Sequence, residues 1–169
     1  MSKKFDPRAA RNVAVLVFVP VVVVALFSAF NLRINYSASH VNVGIWKAFP
    51  PVPVNVGDVV TYDKDEFFAA CPQIREDRMK FRSPVVIKRV AATAGALVEL
   101  SGDLVVVNGR LYPEARIIDD SWRKVEYPLL VPLGTVWLMA DSKYAYDSRY
   151  HGPLPIFLVR EKLEPVLVW

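Results

Sequence analysis

Hydrophobic positions fall into two regimes along this chain. Residues 13–30 (VAVLVFVPVVVVALFSAF) are apolar without a polar face, interrupted only by Pro20 and Ser28. Beyond about residue 31 the apolar positions come in short Val-, Ile- and Tyr-rich runs broken by Pro and Gly. The first regime predicts a helix. At about 1.5 Å per residue it would reach roughly 27 Å, close to the hydrocarbon thickness of a bilayer. The second predicts strands. Residues 52–63 (VPVNVGDVVTYD) read as a turn at 55–58 followed by a strand, and 85–92 (VVIKRVAA) as another. Segments 97–100 and 104–107 flank Ser101-Gly102-Asp103, and Asn108-Gly109 is a two-residue hairpin signal leading into 110–112. Residues 135–139 are a further apolar strand, and 165–169 a last edge strand. With 13 prolines and many short strands, the expected class is mainly β, sandwich- or barrel-like, not a parallel βαβ sheet.

The stretch 63–82 (DKDEFFAACPQIREDRMKFR) breaks this texture. It is charged, holds the single cysteine, and reads as an insertion with room for a short helix, reaching over a site or a partner. The expected organisation is therefore a tail over 1–12, an anchor over 13–30, and a β-rich domain over 31–169 with an insertion near 63–82.

Charge sharpens the reading of the first segment. Residues 1–31 carry Lys3, Lys4, Arg8 and Arg11 against Asp6, and the remaining 138 residues have 17 basic against 16 acidic side chains. A nearly neutral domain lacks the clustered basic face that nucleic acid requires. A basic flank before an apolar run keeps the N-terminus cytoplasmic, so the rest lies outside. A cleaved secretory signal is the alternative, for which 18 residues is long; both readings export the domain.

Composition removes much chemistry. Cys71 alone forms no internal disulfide and no CxxC site. His40 and His151 lack metal-site spacing, and no phosphate-binding glycine loop is present, so neither metal nor cofactor is expected. What remains runs on Ser, Lys, Asp, Glu or Tyr.

Three segments could carry such chemistry. Ser37 and Ser39 lie just after the apolar run; on an extended chain both hydroxyls face one way. Lys88, within VVIKRV, shares a strand face with Val86 and Val90. If that face is buried, desolvation favours the neutral amine, a general base; if the Arg89 face is buried, Lys88 points to solvent. Residues 138–153 (LMADSKYAYDSRYHGP) bring Asp141, Ser142, Asp147, Ser148, Arg149 and Tyr150 together, either as an ion-paired turn or as a loop for a sugar or peptide. His40 lacks an orienting acid, Cys71 reads as a loop thiol, Trp46 and Phe49 read equally as core or membrane-interface residues, and Asn35-Tyr36-Ser37 fits a glycosylation sequon.

Taken in order, Ser-x-Ser after an anchor, Val56-Gly57-Asp58-Val59-Val60, Ile87-Lys88-Arg89-Val90, Gly95, Val107-Asn108-Gly109, Val131-Pro132-x-Gly134, Met139 with Asp141, and Asp147-Ser148-Arg149-Tyr150-x-Gly152 resemble the type I signal peptidase family. The short, single-anchor form is most similar to the TraF-type peptidases of conjugative transfer. The resemblance implies a signal-peptidase-like β-rich catalytic domain behind one transmembrane helix. It implies a serine–lysine endopeptidase with Ser39 as nucleophile and Lys88 as general base. Ser37 and the Ser39 backbone N–H would form the oxyanion hole, with Asp147 and Arg149 supporting the base. It further implies a precursor-protein substrate (a signal peptide or propilin), a lipid bilayer and a conjugative secretion apparatus as partners, and a single-pass inner-membrane location with a periplasmic catalytic domain. Two departures stand out. Ser39 is followed by His40-Val41-Asn42-Val43-Gly44 without the family's usual Pro, leaving Ser37 an alternative nucleophile. Ala145 stands where many members place a Ser that hydrogen-bonds the lysine, leaving Ser142 or Tyr144 to substitute. The competing functions are a general signal peptidase, a non-catalytic membrane-tethered assembly protein, and an exported lectin-like domain.

Overall fold

The computed structural model describes residues 7–36, 41–74 and 83–169. Helix α1, Pro7–Ala29, is followed by β1, Leu32–Asn35, and β2, Gly44–Phe49. Strand β3, Val59–Asp63, runs directly into α2, Lys64–Ala70, and β4, Val85–Thr93, follows. Next come β5, Leu97–Ser101; β6, Leu104–Val107; β7, Arg110–Arg116; β8, Leu129–Leu130; and β9, Thr135–Met139. The chain closes with α3, Ser148–His151; β10, Leu154–Pro155; and β11, Val159–Val168.

The strands form two antiparallel sheets, as the mainly β expectation requires. The larger has the order β1-β2-β11-β3-β4-β9-β10, the smaller β7-β6-β5-β8. Local turn chemistry explains the smaller one. Asn108 (φ 47°) and Gly109 (φ 77°) take the left-handed conformation that a two-residue hairpin needs, and β6 returns as β7. Bulges in β4 (between Val90 and Ala92) and β7 accommodate the twist between sheets.

Three apolar clusters hold the sheets. One lies on the inward face of β3, β4 and β9 under α2 and α3, with Val60, Tyr62, Val86, Val90 and Leu138 beside Phe67 and Phe68. A second joins the smaller sheet to the far ends of β4 and β9 through Val98, Val105, Ala92 and Trp137. The third covers the opposite face of the larger sheet, where Trp46 packs with Val41, Val59 and Leu163. Trp46 is thus core.

One expectation needs adjustment. The last strand starts earlier than expected, at Val159: residues 159–163 pair with β3 and residues 162–168 with β2, so its first half lies inside the larger sheet while Pro165, Leu167 and Val168 pair with β2 alone. Pro165 has no N–H for a ladder, and the register shifts between Pro165 and Leu167 to accommodate it. The insertion, in its described part, packs inward. Asp63 caps α2 by accepting from the N–H groups of Asp65 and Glu66, and Phe67 and Phe68 are buried. Residues 75–82 of that segment fall outside the described residues.

In α1, apolar side chains such as Leu16 (77% exposed), Phe18 and Val24 project away from the domain. Among the described residues no helix is long and apolar enough to cross a membrane; in α1 the side chains described without a break run over 15–29.

Candidate active site

The face of β4 that sequence alone leaves open is settled by pairing. β4 sits between β3 and β9, with Val60 opposite Lys88 and Leu138 opposite Val90. Val86, Lys88 and Val90 are all buried, Lys88 with no exposure at all, whereas Val85 is exposed and Ile87 and Arg89 are half-buried on the other face. Lys88 therefore lies in the apolar wall of the first cluster. Burial lowers its pKa from 10.5 to about 8; the Asp147 charge pulls it up and the Arg149 charge pushes it down.

Those two groups come from the segment after β9. Asp147 caps α3, accepting from the Arg149 backbone N–H at 3.1 Å. Its carboxylate also accepts from Arg149 Nε at 2.8 Å, Arg149 Nη2 at 2.7 Å and the Ala140 N–H at 2.9 Å. Both partners are fully buried. Burial alone would raise the Asp147 pKa, but the charge and hydrogen bonds of Arg149, the Lys88 charge and the Ala140 N–H outweigh it and hold the carboxyl below its ordinary value. Arg149 extends further, donating through Nη1 to the carbonyls of Glu114, Arg116 and Lys143 and through Nη2 to that of Ser142. The pair thus ties the loop to β7 of the smaller sheet. Its chemical effect is subtle. An isolated carboxylate near Lys88 would keep the amine protonated; one already matched by a guanidinium leaves desolvation dominant.

Placement of the remaining sequence candidates is uneven. Ser37, Ser39 and His40 lie outside the described residues. Their flanks are held: Asn35, buried at the end of β1, donates through Nδ2 to the carbonyls of Val41 (3.0 Å) and Asn42 (2.9 Å). A buried amide so engaged is no glycan acceptor. Ser142 is half-buried, and its Oγ accepts from the Tyr144 N–H at 3.3 Å. Tyr144 is 71% exposed, with the Lys143 ammonium over its ring, so its side chain faces solvent while Lys88 does not. Ser148 Oγ accepts from the Leu138 N–H. Cys71 is half-buried with its thiol pKa raised by burial, the opposite of an activated thiolate. Among the described residues no group of His, Cys, Asp and Glu could hold a metal ion.

Three contributors escaped the sequence reading. Asn35 carries its signal only in proximity to Ser37. Arg89 pairs with Asp141 (Nη2–Oδ2 3.0 Å) and donates to the Gly57 carbonyl, fixing the start of the loop against β4. Gly44 permits close contact of β2 with β11: a Cβ there would sit 2.2 Å from the Leu167 carbonyl oxygen.

The chain is 30% identical over 116 residues to the probable thylakoidal processing peptidase 2, chloroplastic, of Arabidopsis thaliana, an alignment covering 61% of this chain. It spans only 31% of that relative's length. A crystal structure of a signal peptidase I from Enterococcus faecalis V583 is similar over 68% of this chain and 97% of its own, at 20% identity and a TM-score of 0.39, too low to equate the two folds. The family described as signal peptidase, peptidase S26, matches residues 9–166. The chain belongs to that family.

Proposed function

We propose that this protein is a membrane-anchored serine endopeptidase in which Ser39 is the nucleophile and Lys88 the general base. One observation carries the reading: an amine with no exposure, held near pKa 8 beside a neutralised Asp147–Arg149 pair. A serine hydroxyl is a poor nucleophile until a base takes its proton, and a lysine does so only when kept neutral by burial. In the proposed cycle, Ser39 Oγ attacks the scissile carbonyl carbon as its proton passes to Lys88 Nζ. The oxyanion accepts hydrogen bonds from the Ser39 N–H and the Ser37 hydroxyl, donors commonly worth a few kcal/mol each. The Lys88 ammonium, stabilised by Asp147, then protonates the leaving amine. A water deprotonated by Lys88 releases the acyl group and restores the serine.

The substrates are leader or tail segments of exported or membrane-inserted precursors, specifically a pilin precursor of a conjugative transfer system. Ser39 lies nine residues beyond Phe30, so an anchor over 13–30 would hold the cut close to the bilayer. The exposed apolar side chains of α1 favour lipid around that helix, and the basic flank favours a cytoplasmic N-terminus with the domain in the periplasm. A second reading, general removal of leader peptides, is favoured by the name of the Arabidopsis relative, itself a processing peptidase. Mass spectrometry of candidate propilins and of ordinary secretory precursors, with the active protein and with Ser39→Ala, separates them. Cleavage of propilin alone supports the specialist, cleavage of both supports the general enzyme, and no cleavage of either rejects the peptidase.

A further inference from the structure

Tyr62 occupies an unusual place for a phenol. It lies on β3 opposite Val86, and Val60 is opposite Lys88, so Tyr62 and Lys88 are diagonal neighbours on the same buried face. Side chains in that relation have Cβ atoms up to about 7–8 Å apart, within reach of a long amine and an aromatic ring. Tyr62 has no exposure, and among the described residues its hydroxyl has no hydrogen-bond partner. Buried hydroxyls are nearly always paired, so an orphan beside a reactive group calls for an explanation. The hydroxyl also lies in the field of Asp147, the carboxylate that acts on Lys88: burial, then that charge, push the phenol pKa well above 10 and keep it protonated.

Among the described hydroxyls of this loop, Ser142 Oγ accepts from Tyr144, Ser148 Oγ from Leu138 and the Tyr150 hydroxyl from Ile118, and Tyr144 faces solvent. Position 145, two residues before Asp147, is an alanine. Around the Lys88 amine the charged groups are Asp147 and Arg149, while β3 presents Val60 and Tyr62 and β9 presents Leu138 on this face.

We propose that Tyr62 is a positioning residue for Lys88: its phenol oxygen accepts one N–H of the neutral amine as substrate fills the site, turning the lone pair toward the serine hydroxyl. This rests on Lys88 acting as the base. The bond is not made in this structure, and catalytic hydrogen bonds often tighten only with substrate in place.

The test uses the full chain in detergent micelles and a precursor peptide that the wild type cleaves. Tyr62→Phe removes one oxygen and keeps the ring. It is expected to lower kcat by about tenfold to a hundredfold with KM nearly unchanged, as misorientation of a catalytic group does. Loss of an acceptor disfavours the ammonium form, so the acidic limb of the pH–rate profile should move to lower pH. Val60→Ala thins the apolar wall opposite Lys88 but removes no hydroxyl; it relieves desolvation, so any shift of the limb it causes should run to higher pH, the opposite direction. Unchanged kcat and limb in Tyr62→Phe overturn the proposal. So does a lowered Tm in that variant, which would mean that the hydroxyl already serves a structural bond. Titration of the Lys88 side chain by NMR, in wild type and Tyr62→Phe with an uncleavable peptide bound, does not depend on turnover. Superposed curves reject the Tyr62 role, and a lower midpoint in the variant supports it. Cleavage that survives Lys88→Ala would instead reject the base itself.

Discussion

The two sheets treat charge differently. Every described polar or charged residue that is buried, Lys88, Asp147 and Arg149 foremost, belongs to the larger sheet or to the segments at its face. Strands β5–β8 bury only apolar side chains, and the ion pair on that side, Arg116–Asp103, is about half exposed at each end. Strand pairing alone could be stabilised as the smaller sheet is, by valines inside and salt bridges outside. A buried amine and ion pair are therefore not demanded by the architecture. They lower stability where they stand unless fully paired, and their confinement to one sheet is what the proposed chemistry at Lys88 would account for. Arg149 joins the two regimes, since its guanidinium reaches from the buried pair to the carbonyls of β7.

The sharpest way to break this contrast is Lys88→Met. If the buried amine is there for chemistry and not for folding, cleavage should fall at least ~1,000-fold, consistent with loss of a general base and its oriented contacts. Tm should stay level or rise, because an apolar chain of similar length suits this wall. A folded Lys88→Met that still cleaves would remove the functional meaning of the larger sheet. Next in size is Arg149→Leu. It leaves Asp147 buried without its partner and should cost about 3–5 kcal/mol by urea unfolding. The same variant strips the neutralising charge from beside Lys88, so any residual activity should need higher pH.

The Lys88 pKa of about 8, against 10.5 for an ordinary lysine, gives two pH dependences. As the proposed base Lys88 must be neutral, so kcat/KM should rise about tenfold per pH unit below 8 and level off above it. For stability, the folded chain sheds this proton at lower pH than the unfolded chain. The unfolded state thus binds more protons between about pH 8 and 10.5, and stability rises with pH across that window, by roughly 3 kcal/mol from this group. Below pH 8 the penalty of the buried ammonium is present in full. Subtracting a Lys88→Met unfolding series from wild type isolates the contribution, and a flat difference would contradict it.

Much of the strand content was readable because it is written locally. Alternation in 85–92 and 135–139 and the Asn108-Gly109 turn need only neighbours to act, and β4, β9 and the β6–β7 hairpin form where expected. The identity of Lys88 as a candidate was equally local; its burial was not. Apolar residues flank it on both faces of β4, and only pairing with β3, 28 residues earlier in register, selects one. Only the end of β11 was legible, for a related reason. Its sequence, VREKLEPVLV, alternates weakly and contains a proline, so the inner position of residues 159–163 comes from β2 and β3 closing on them from both sides. Tyr62 looked like any strand aromatic, since nothing in VVTYD says that its hydroxyl will lack a partner. Asn35 disguised a tertiary role as a sequon, and Arg89–Asp141 joins residues 52 apart in the chain. Ser37 and Ser39 remain sequence assignments.

The smallest effect belongs to the smaller sheet and completes the contrast. Arg116 Nη1 lies 2.6 Å from Asp103 Oδ2, closer than Arg149 Nη2 lies to Asp147 (2.7 Å). If distance set the energy, the two pairs would be equals. Solvent decides otherwise: water screens an exposed pair and hydrates either partner left alone, so such pairs contribute about 0–1 kcal/mol. Asp103→Ala should therefore shift the urea unfolding free energy by less than about 1 kcal/mol and leave cleavage unchanged. Raised salt should shrink even that difference, because the exposed pair is the screened one. Were Asp103→Ala to cost as much as Arg149→Leu, burial would no longer distinguish the two sheets, and the special status of the Lys88 face would have to be argued on other grounds.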